Sequence, residues 1–465
     1  MRFGRPRIGG AGFHGVTSSV PGVRSAAAAR EPAPVDLADL IDRCPLSAVQ
    51  IGVTALCAAA LFVDGYDIQV MALAVPSLSR AWSLPPSSFG FALSAVVVGI
   101  TVGSAVFGPL GDRVGRRTML GATMLAAAVA TGCTALAASP AEFVFWRLAT
   151  GIALGAGIPS CAALTSEYAP LASRSVVMGL MNVASPIGAF SAGLIAPPVL
   201  DALGWRGTFL LGGAGPLLIA LASRLAPESL KFLLVHRPAD PRIARYLRRL
   251  APTVDPRSWR APQQPERRRV SSPFELLSGA LRARTLLLWG LLCLNLFNLY
   301  VLLSWLPTLL ERSGWSGADA LRGAVLIQGG GIVGGLAMAR FMDRGATKAA
   351  LAGGFVLSAA SLVLFAVLPG RAAWVALLTL AGAGISGSQL SLNALSAAYY
   401  PPAIKSTGVA WALVVGGLGS SVGPVAGAWL IDLKLSPASI LALLAVPSVV
   451  CAAAVCLMRR EWQAH

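Results

Sequence analysis

The sequence predicts an all-α membrane protein with twelve transmembrane helices, arranged as two six-helix bundles. Three observations lead to this prediction. Of the 465 residues, 55% are hydrophobic and only 12% are charged, which excludes an ordinary soluble domain. The apolar residues are gathered into twelve runs, each long enough to cross about 30 Å of hydrocarbon. One long polar stretch divides these runs into two sets of six.

We number the apolar runs as the first to the twelfth span. In the N-terminal set they cover residues 48–72, 87–110, 118–137, 141–165, 174–198 and 207–226. In the C-terminal set they cover residues 286–310, 320–341, 347–368, 372–397, 403–430 and 437–458. The 50 glycines and 31 prolines suit membrane helices that pack closely and bend.

The expected domains follow from these runs. They are an N-terminal tail (1–47), an N-terminal bundle (48–226), a linker (227–285), a C-terminal bundle (286–458) and a C-terminal tail (459–465). The linker is polar and rich in arginine and proline, and we expect short helices within it. Residues 1–34 carry few large apolar residues, so we expect that part of the tail to lack a packed core.

Lysine and arginine residues are divided unevenly between the two sets of loops. With the N-terminus inside the cell, 30 of the 37 basic residues lie on the cytoplasmic side and 6 lie outside, while Arg147 alone lies more than three residues from both ends of a span. Cytoplasmic loops of membrane proteins carry such an excess. The net charge of +17 therefore indicates membrane orientation and not nucleic-acid binding, and both termini are expected in the cytoplasm.

The two halves repeat a short charged loop. GPLGDRVGRR (108–117) follows the second span, and ARFMDRGATK (339–348) follows the eighth. A tight loop tethers two helices, and its ion pairs can break when two halves rock against each other. The gating candidates in these loops are Asp112, Arg113, Arg116, Asp343 and Arg344.

The first span carries two acids, Asp64 and Asp67. A carboxylate within a bilayer costs about 2.5–3.5 kcal/mol, so membrane acids usually have a function. Residues three apart share one face of a helix, and Gly65 between the two acids permits close approach of another helix or a ligand. We predict that Asp64 and Asp67 couple transport to protons. The alternative is that the span ends before Asp64 and both acids lie at the membrane surface.

Arg147, in the fourth span, is the expected partner for these acids. At about 1.5 Å per residue, Asp64 lies about 12 Å and Arg147 about 9 Å inside the outer ends of their spans. An anionic substrate that competes with an aspartate for Arg147 would couple the two binding events. The alternative is a fixed structural ion pair. His14, His236 and His465 all lie outside the spans, so no histidine relay is expected.

Other polar and aromatic side chains within the spans are candidate substrate contacts. They are Tyr66, Gln69, Asn182, Asn295, Asn298, Tyr300, Trp305, Gln328, Gln389 and Asn393. Each amide is equally expected to form a hydrogen bond with another helix or with substrate. Asn298 and Tyr300 flank Leu299 and cannot both face a cavity on a regular helix. Trp305 is equally suited to the membrane interface.

The sequence offers no chemistry beyond transport. The seven cysteines show no metal-binding spacing and fall mostly in apolar runs, so they are interpreted as small hydrophobic residues. No set of nucleophile and base is recognisable. We therefore expect no enzyme activity, no catalytic residues, no metal and no cofactor.

Several motifs resemble those of the major facilitator superfamily. GPLGDRVGRR is similar to its loop signature, and FWRLATGIALGAG (145–157) to its fourth-helix motif, with Arg147 as the basic residue. More narrowly, the chain resembles the aromatic acid:proton symporters, which include 4-hydroxybenzoate and benzoate permeases. The matching segments are DGYD (64–67), SEYAPLASRS (166–175), LGWRGTFLLGGAGPLL (203–218), APESLKFLL (226–234), NLYVLLSWLPTLL (298–310) and YYPPAIKSTGVAWAL (399–413).

This resemblance implies a function and several partners. It implies a monomer in a bacterial inner membrane that imports an aromatic carboxylate with protons by alternating access. The lipid bilayer, protons and a small aromatic acid are the expected partners, with no nucleic acid. The matching segment at 166–175 adds Glu167 and Arg174 to the gating candidates.

Two departures from the family pattern keep alternatives open. The eleventh span has Gly416 and Gly417 where the family often has an arginine, and Lys405 stands where arginine is common. ASPIGAFSAG (184–193) resembles a motif of proton antiporters, so a proton-driven exporter of organic anions or drugs is the first alternative. A membrane sensor that binds ligand without turnover is the second, although the linker contains no recognisable output domain.

The charge distribution generates a topology prediction. Alkaline phosphatase fused to the C-terminus should be inactive, because the basic loops hold both termini in the cytoplasm. The matched control is a fusion after Lys434, in a loop expected outside, which should be active. An active C-terminal fusion would contradict the predicted orientation.

Overall fold

Long helices dominate the described part of the chain. The structure is a computed structural model that describes residues 35–36, 47–171, 173–238, 240–243, 246, 259–260, 273–279, 281–368, 370–401 and 404–458. The predicted tail segments 1–34 and 459–465 lie outside the described residues. The predicted all-α class is confirmed; the exception is a two-residue parallel pairing of Val35–Asp36 with Trp259–Arg260.

The helices correspond to the predicted spans. In the N-terminal half they are Ala48–Trp82 (first span), Gly90–Phe107 (second), Arg116–Leu136 (third), Pro140–Tyr168 (fourth) and Arg174–Ser223 (fifth and sixth). In the C-terminal half they are Leu281–Arg312 (seventh), Leu326–Asp343 (eighth), Thr347–Val367 (ninth), Arg371–Tyr399 (tenth), Lys405–Asp432 (eleventh), and Pro437–Leu443 with Ala445–Cys456 (twelfth). Shorter helices are Gly111–Val114, Leu230–His236, Pro273–Leu276 and Gly317–Ala324, and 3-10 turns cover Pro86–Phe89 and Gly108–Leu110.

Serine residues begin several of these helices. The Ser47 hydroxyl accepts a hydrogen bond from the backbone N–H of Gln50, and the backbone N–H of Ser47 donates to the Gln50 side-chain oxygen. These two bonds satisfy two free backbone groups at the start of the first span. Ser139, Ser316 and Ser436 cap the fourth span, the short helix before the eighth span, and the twelfth span, each by accepting one hydrogen bond from the backbone N–H three residues later.

The fifth and sixth spans are two helical arms within Arg174–Ser223, and the chain folds back between them at Gly204. Gly204 has φ 65° and ψ −173°, a conformation that glycine adopts without a steric penalty. A Cβ atom on Gly65 would overlap the Ser185 carbonyl oxygen, while one on Gly212 would lie 3.8 Å from the Tyr66 ring. Residues 185 and 212 thus both lie beside neighbouring positions of the first span, whereas a straight helix would hold them about 40 Å apart, so the two arms must fold back on each other. Eleven described helices are long and apolar enough to span a membrane, with the two arms on either side of Gly204 counted as one.

The first span is longer than the sequence analysis expected. Its helix runs to Trp82, well beyond the expected end at residue 72, and it passes through both acids without interruption. Asp64 and Asp67 therefore lie in the middle of a long helix. The alternative of a helix that ends before Asp64 does not occur.

The hydrophobic core is shared by the two halves at one end only. A single cluster combines helix and turn residues near the connections between the first and second, third and fourth, and fifth and sixth spans with their C-terminal counterparts, among them Phe89, Phe143, Trp205, Trp315 and Leu321. At the end that carries the linker, the core divides into two separate clusters, one in each half. The described protein is thus closed at the end opposite the linker and divided at the linker end.

Three pairs of spans connect the halves. The first span packs on the seventh, the second on the eleventh, and the fifth on the eighth. The Ser94 hydroxyl donates to the Ser421 carbonyl oxygen at 2.7 Å between the second and eleventh spans. Small residues bring these helices close, since a Cβ on Gly90 would lie 2.6 Å from the Ala428 Cβ.

Packing in the fifth span generates a stability prediction. A Cβ on Gly188 would overlap the Phe62 backbone carbonyl of the first span, whereas a Cβ on Gly179, in the same helix, meets nothing within 4 Å. Gly188→Ala should lower the unfolding temperature in detergent. Gly179→Ala should leave it unchanged or raise it slightly, since alanine favours a helix by up to about 1 kcal/mol over glycine. Equal unfolding temperatures for the two variants would contradict the described packing.

Candidate functional site

Asp67 and Arg147 form a buried two-pronged ion pair. The Arg147 Nη1 donates to Asp67 Oδ1 at 3.0 Å, and Nη2 donates to Oδ2 at 2.7 Å and to the Asp67 carbonyl oxygen at 3.3 Å. Arg147 is 0% and Asp67 3% exposed. The Phe209 ring of the sixth span lies 5.2 Å from the Arg147 Cζ atom. Both terminal nitrogens of Arg147 are therefore engaged within the protein.

Asp64 lies one turn before Asp67 and has no such partner. Its side chain is buried, and its Oδ1 atom accepts no hydrogen bond. The Tyr66 hydroxyl and both polar atoms of Gln69 are also buried and unpaired. Native proteins leave few buried polar groups unsatisfied, and each such group calls for a ligand or water. This stretch of the first span thus presents four unsatisfied polar atoms within six residues.

Groups from two other spans surround Asp64. The first span, which carries Asp64, packs on the fourth span of its own half and on the seventh span of the other half. The Asp64 region therefore lies where the N-terminal bundle meets the C-terminal bundle. Asp64 and Asp67 with Arg147 carry two potential negative charges and one positive charge, so one proton makes the group neutral.

The candidate amides of the C-terminal half bond mainly to one another and to neighbouring helices. Asn298 donates to Ser448 of the twelfth span at 2.9 Å, so it faces away from the N-terminal half. Tyr300 packs against the core cluster that also contains Tyr66 of the N-terminal half. The Gln328 side-chain oxygen accepts a hydrogen bond from Ser386 at 3.2 Å.

Asn295, Gln389 and Asn393 form a chain of hydrogen bonds between the seventh and tenth spans. The Asn295 amide donates to Gln389 at 2.9 Å, and the Gln389 amide donates to Asn393 at 3.0 Å. Asn295 is buried, Gln389 is half-buried and Asn393 is exposed. The chain therefore runs from the bundle interior to an accessible surface.

Trp305 and Asn182 occupy contrasting positions. Trp305 is fully buried, and its Nε1 donates to the Pro424 carbonyl oxygen at 2.7 Å, which joins the seventh and eleventh spans. Asn182 is exposed. It lies about three helical turns before Gly193, where a Cβ would overlap Val325 of the eighth span. Asn182 thus lies on the face that the fifth span turns toward the C-terminal half.

Several gating candidates of the N-terminal half lie in one network at the linker end. Arg116 pairs with Asp112 at 3.0 Å and also forms an ion pair with Glu167. Ser229 donates to Glu167 at 2.5 Å. The side chain of Asp112 is 70% exposed, and Arg113 is exposed. This network ties the loop after the second span to the end of the fourth span and the start of the linker.

The remaining gating candidates lie apart from that network. Arg174 donates to the Ala169 carbonyl oxygen at 3.2 Å. Asp343 and Arg344 are exposed, and within the described ranges neither forms an ion pair.

In the linker, hydrogen bonds from Arg242 lower the pKa of Asp240 to about 2. Among the described residues, no cluster of three or more His, Cys, Asp or Glu side chains is suited to a metal ion.

The sequence analysis missed one structural carboxylate, Glu228. This buried side chain accepts hydrogen bonds from the backbone of Arg117 at 2.9 Å and of Thr118 at 3.3 Å, so it caps the third span. The Tyr168 hydroxyl donates to its carbonyl oxygen at 2.8 Å. The available signal was an acid within APESLKFLL, directly after the sixth span.

Comparison with known proteins identifies the family. A model of the Major Facilitator Superfamily matches residues 57–368 and 323–463. The gallate transporter of Pseudomonas putida is 32% identical over 425 residues, which are 91% of this chain and 95% of that protein. The 4-hydroxybenzoate transporter PcaK of Acinetobacter baylyi is 34% identical over 441 residues, 93% of this chain and 95% of that protein. The benzoate transport protein of the same organism is 26% identical, over 89% and 91%.

Solved structures agree with this assignment at the level of fold. A bacterial homolog of the human lysosomal transporter Spinster, in an inward-facing and occupied conformation, matches with a TM-score of 0.65 and 17% identity over 88% of this chain and 96% of that chain. Its inward-facing, unoccupied form matches with a TM-score of 0.62 and 16% identity, over 90% and 94%. These proteins are membrane transporters and not enzymes. The chain belongs to the major facilitator superfamily, in which its relatives are aromatic acid permeases.

Proposed function

We propose that this protein imports an aromatic carboxylate together with protons, by alternating access across a bacterial inner membrane. The observation that carries the proposal is the unpaired Asp64 carboxyl group beside the Asp67–Arg147 ion pair. Relatives that match over most of the chain are named as gallate, 4-hydroxybenzoate and benzoate transporters, which supports the substrate class. The monomer is taken to be the working unit.

In this proposal Asp64 takes up and releases the coupled proton. Asp67 already has its charge matched by Arg147 through two hydrogen bonds. An ionised Asp64 would leave one uncompensated negative charge in a buried site, which is costly in free energy. Protonation from the outer side therefore favours the neutral group, and release to the cytoplasm resets it.

The substrate site lies between the first and seventh spans. The unpaired Tyr66 hydroxyl and the Gln69 amide offer donors and acceptors there, and Tyr300 of the other half packs against the same core cluster as Tyr66 and offers an aromatic ring. An aromatic ring stacks or packs edge-on with such a face. A ligand that contacts both halves makes different contacts in the two conformations, which is the requirement for coupling binding to a conformational change.

Alternating access in this proposal is a rocking of the two halves. The described conformation is closed at the end opposite the linker and divided at the linker end. With the linker and both termini in the cytoplasm, this is an inward-facing state. Asp112, Arg116 and Glu167 then form part of the cytoplasmic gate, where ion pairs rearrange as the halves move. Because the proton gradient is directed inward, a carboxylate carried with protons is imported.

Uptake by proteoliposomes tests this proposed function. Vesicles that contain the protein should accumulate labelled 4-hydroxybenzoate, gallate or benzoate when the outside is made acidic. An uncoupler should abolish accumulation because it dissipates the gradient. Vesicles without protein are the control. Gradient-driven efflux without uptake would support the export alternative, and saturable binding without transport would support the sensor alternative.

The two acids should respond differently to substitution. Asp64→Asn should reach the membrane and still exchange labelled for unlabelled substrate, but lose proton-driven accumulation, because asparagine cannot titrate. Asp67→Asn should mainly reduce the amount of folded protein, since a buried cation without its partner costs about 3–5 kcal/mol. Adding Arg147→Gln to Asp67→Asn removes the unpaired cation and should restore folded protein. Normal accumulation by Asp64→Asn would remove Asp64 from the coupling step.

A further inference from the structure

The hydrogen-bond chain of Asn295, Gln389 and Asn393 has a defined direction. The Asn295 Nδ2 group donates both to the Ile385 carbonyl oxygen, at 3.2 Å, and to Gln389, at 2.9 Å. A backbone carbonyl only accepts hydrogen bonds, so the NH₂ group of Asn295 must face the tenth span. Gln389 consequently turns its oxygen toward Asn295 and its NH₂ group toward the oxygen of Asn393.

The direction of this chain leaves donors at its exposed end. Because the Asn393 oxygen accepts from Gln389 at 3.0 Å, the NH₂ group of Asn393 points outward with its two N–H donors. Linked hydrogen bonds polarise one another, which strengthens the terminal donors. Such an end is complementary to an oxygen that accepts hydrogen bonds, and a carboxylate forms the strongest bonds of this kind.

Helical geometry directs Asn393 toward the N-terminal half. On the tenth span, Ser386 contacts the eighth span and Gln389 contacts the seventh. At 100° per residue, Asn393 lies between these two directions, in the gap between the seventh and eighth spans. Those spans pack on the first and fifth spans of the other half. The neighbouring Leu392 and Leu395 belong to the core cluster confined to the C-terminal half, so Asn393 lies toward the end where the halves are divided.

The engagement of Arg147 makes such a neutral donor necessary. Arg147 is the one basic residue that lies more than three residues from both ends of a predicted span, is fully buried, and has both terminal nitrogens bound to Asp67. A substrate carboxylate that approaches from the divided end therefore meets the Asn393 amide and not a free guanidinium group. The Asp67–Arg147 ion pair joins the first and fourth spans. The amide chain joins the seventh and tenth spans, which are their counterparts in the other half.

We propose that the amide chain of the tenth span binds the substrate carboxylate, with Asn393 as the contact and Gln389 and Asn295 as positioning residues. This inference rests on the proposed function. A neutral donor binds an anion without adding a charge to the site. The proton on Asp64 and the charge of the substrate therefore change the net charge of the site independently of each other. The aromatic ring then extends from Asn393 toward Tyr300 and the first span.

The test compares an acid with its amide in purified protein and proteoliposomes. The probes are labelled 4-hydroxybenzoate and, as competitor, 4-hydroxybenzamide. Asn393→Ala should raise the KM for 4-hydroxybenzoate about 10- to 100-fold with a smaller change in kcat, because it removes hydrogen bonds to a charged group. It should also shrink the preference for acid over amide. Asn393→Asp, which presents acceptors and a negative charge, should abolish acid binding, and Asn295→Leu should raise KM because it releases the orientation of Gln389.

Ser448→Ala is the matched structural control. It removes a buried hydrogen bond from the same half and should lower thermal stability while leaving KM and the acid preference unchanged. An unchanged KM and an unchanged acid preference in Asn393→Ala, with wild-type transport intact, would overturn the carboxylate contact and leave the proposed function standing. If the wild-type protein neither binds nor transports any acid of the panel, the proposed function fails, and the carboxylate contact fails with it.

Discussion

The ion pair between Asp67 and Arg147 is the constraint to which the rest of the N-terminal bundle is fitted. Two charges removed from water are stable only when their geometry is good and their remaining hydrogen-bonding groups are satisfied. The two-pronged contact, the Asp67 carbonyl oxygen and the Phe209 ring supply the geometry and satisfy both terminal nitrogens of Arg147, while its buried Nε has no hydrogen-bond partner. Because this pair consumes the cation, the second acid on the same helix face remains unpaired. The asymmetry between Asp64 and Asp67 therefore follows from having two acids and one arginine.

The two bundles share a fold but differ in their chemistry. The buried ion pair in mid-span lies in the N-terminal bundle. The C-terminal bundle has neutral contacts in mid-span, such as Asn298 with Ser448 and Asn295 with Gln389, and charged contacts at its helix ends, such as Arg371 with Asp319. Amide contacts do not change with pH, and a carboxyl group does. One half is thus suited to respond to protons, while the other keeps its hydrogen-bond pattern constant.

Hydropathy and charge predicted most of the architecture, because a bilayer forces each span to be long, apolar and internally hydrogen-bonded. The depths estimated from residue counts placed Arg147 level with the two acids. Which acid it binds depends on side-chain geometry. Periodicity indicated that Asn298 and Tyr300 diverge; only packing decides which one faces the other half. The extension of the first helix to Trp82 was missed because its last turns contain Pro76, Ser79 and Arg80, which read as a loop in sequence. The cap by Glu228 depends on a contact between residues far apart in the chain.

The apolar cluster that unites both halves at the end opposite the linker has a thermodynamic consequence. Opening that end exposes surfaces around Trp205, Trp315 and Leu321 that are now buried together. Exposure of apolar surface raises the heat capacity, and near room temperature its cost is mainly entropic. The free-energy difference between the described form and a form open at the end opposite the linker should therefore depend on temperature in a curved manner. Warming from low temperature should favour the described form more strongly.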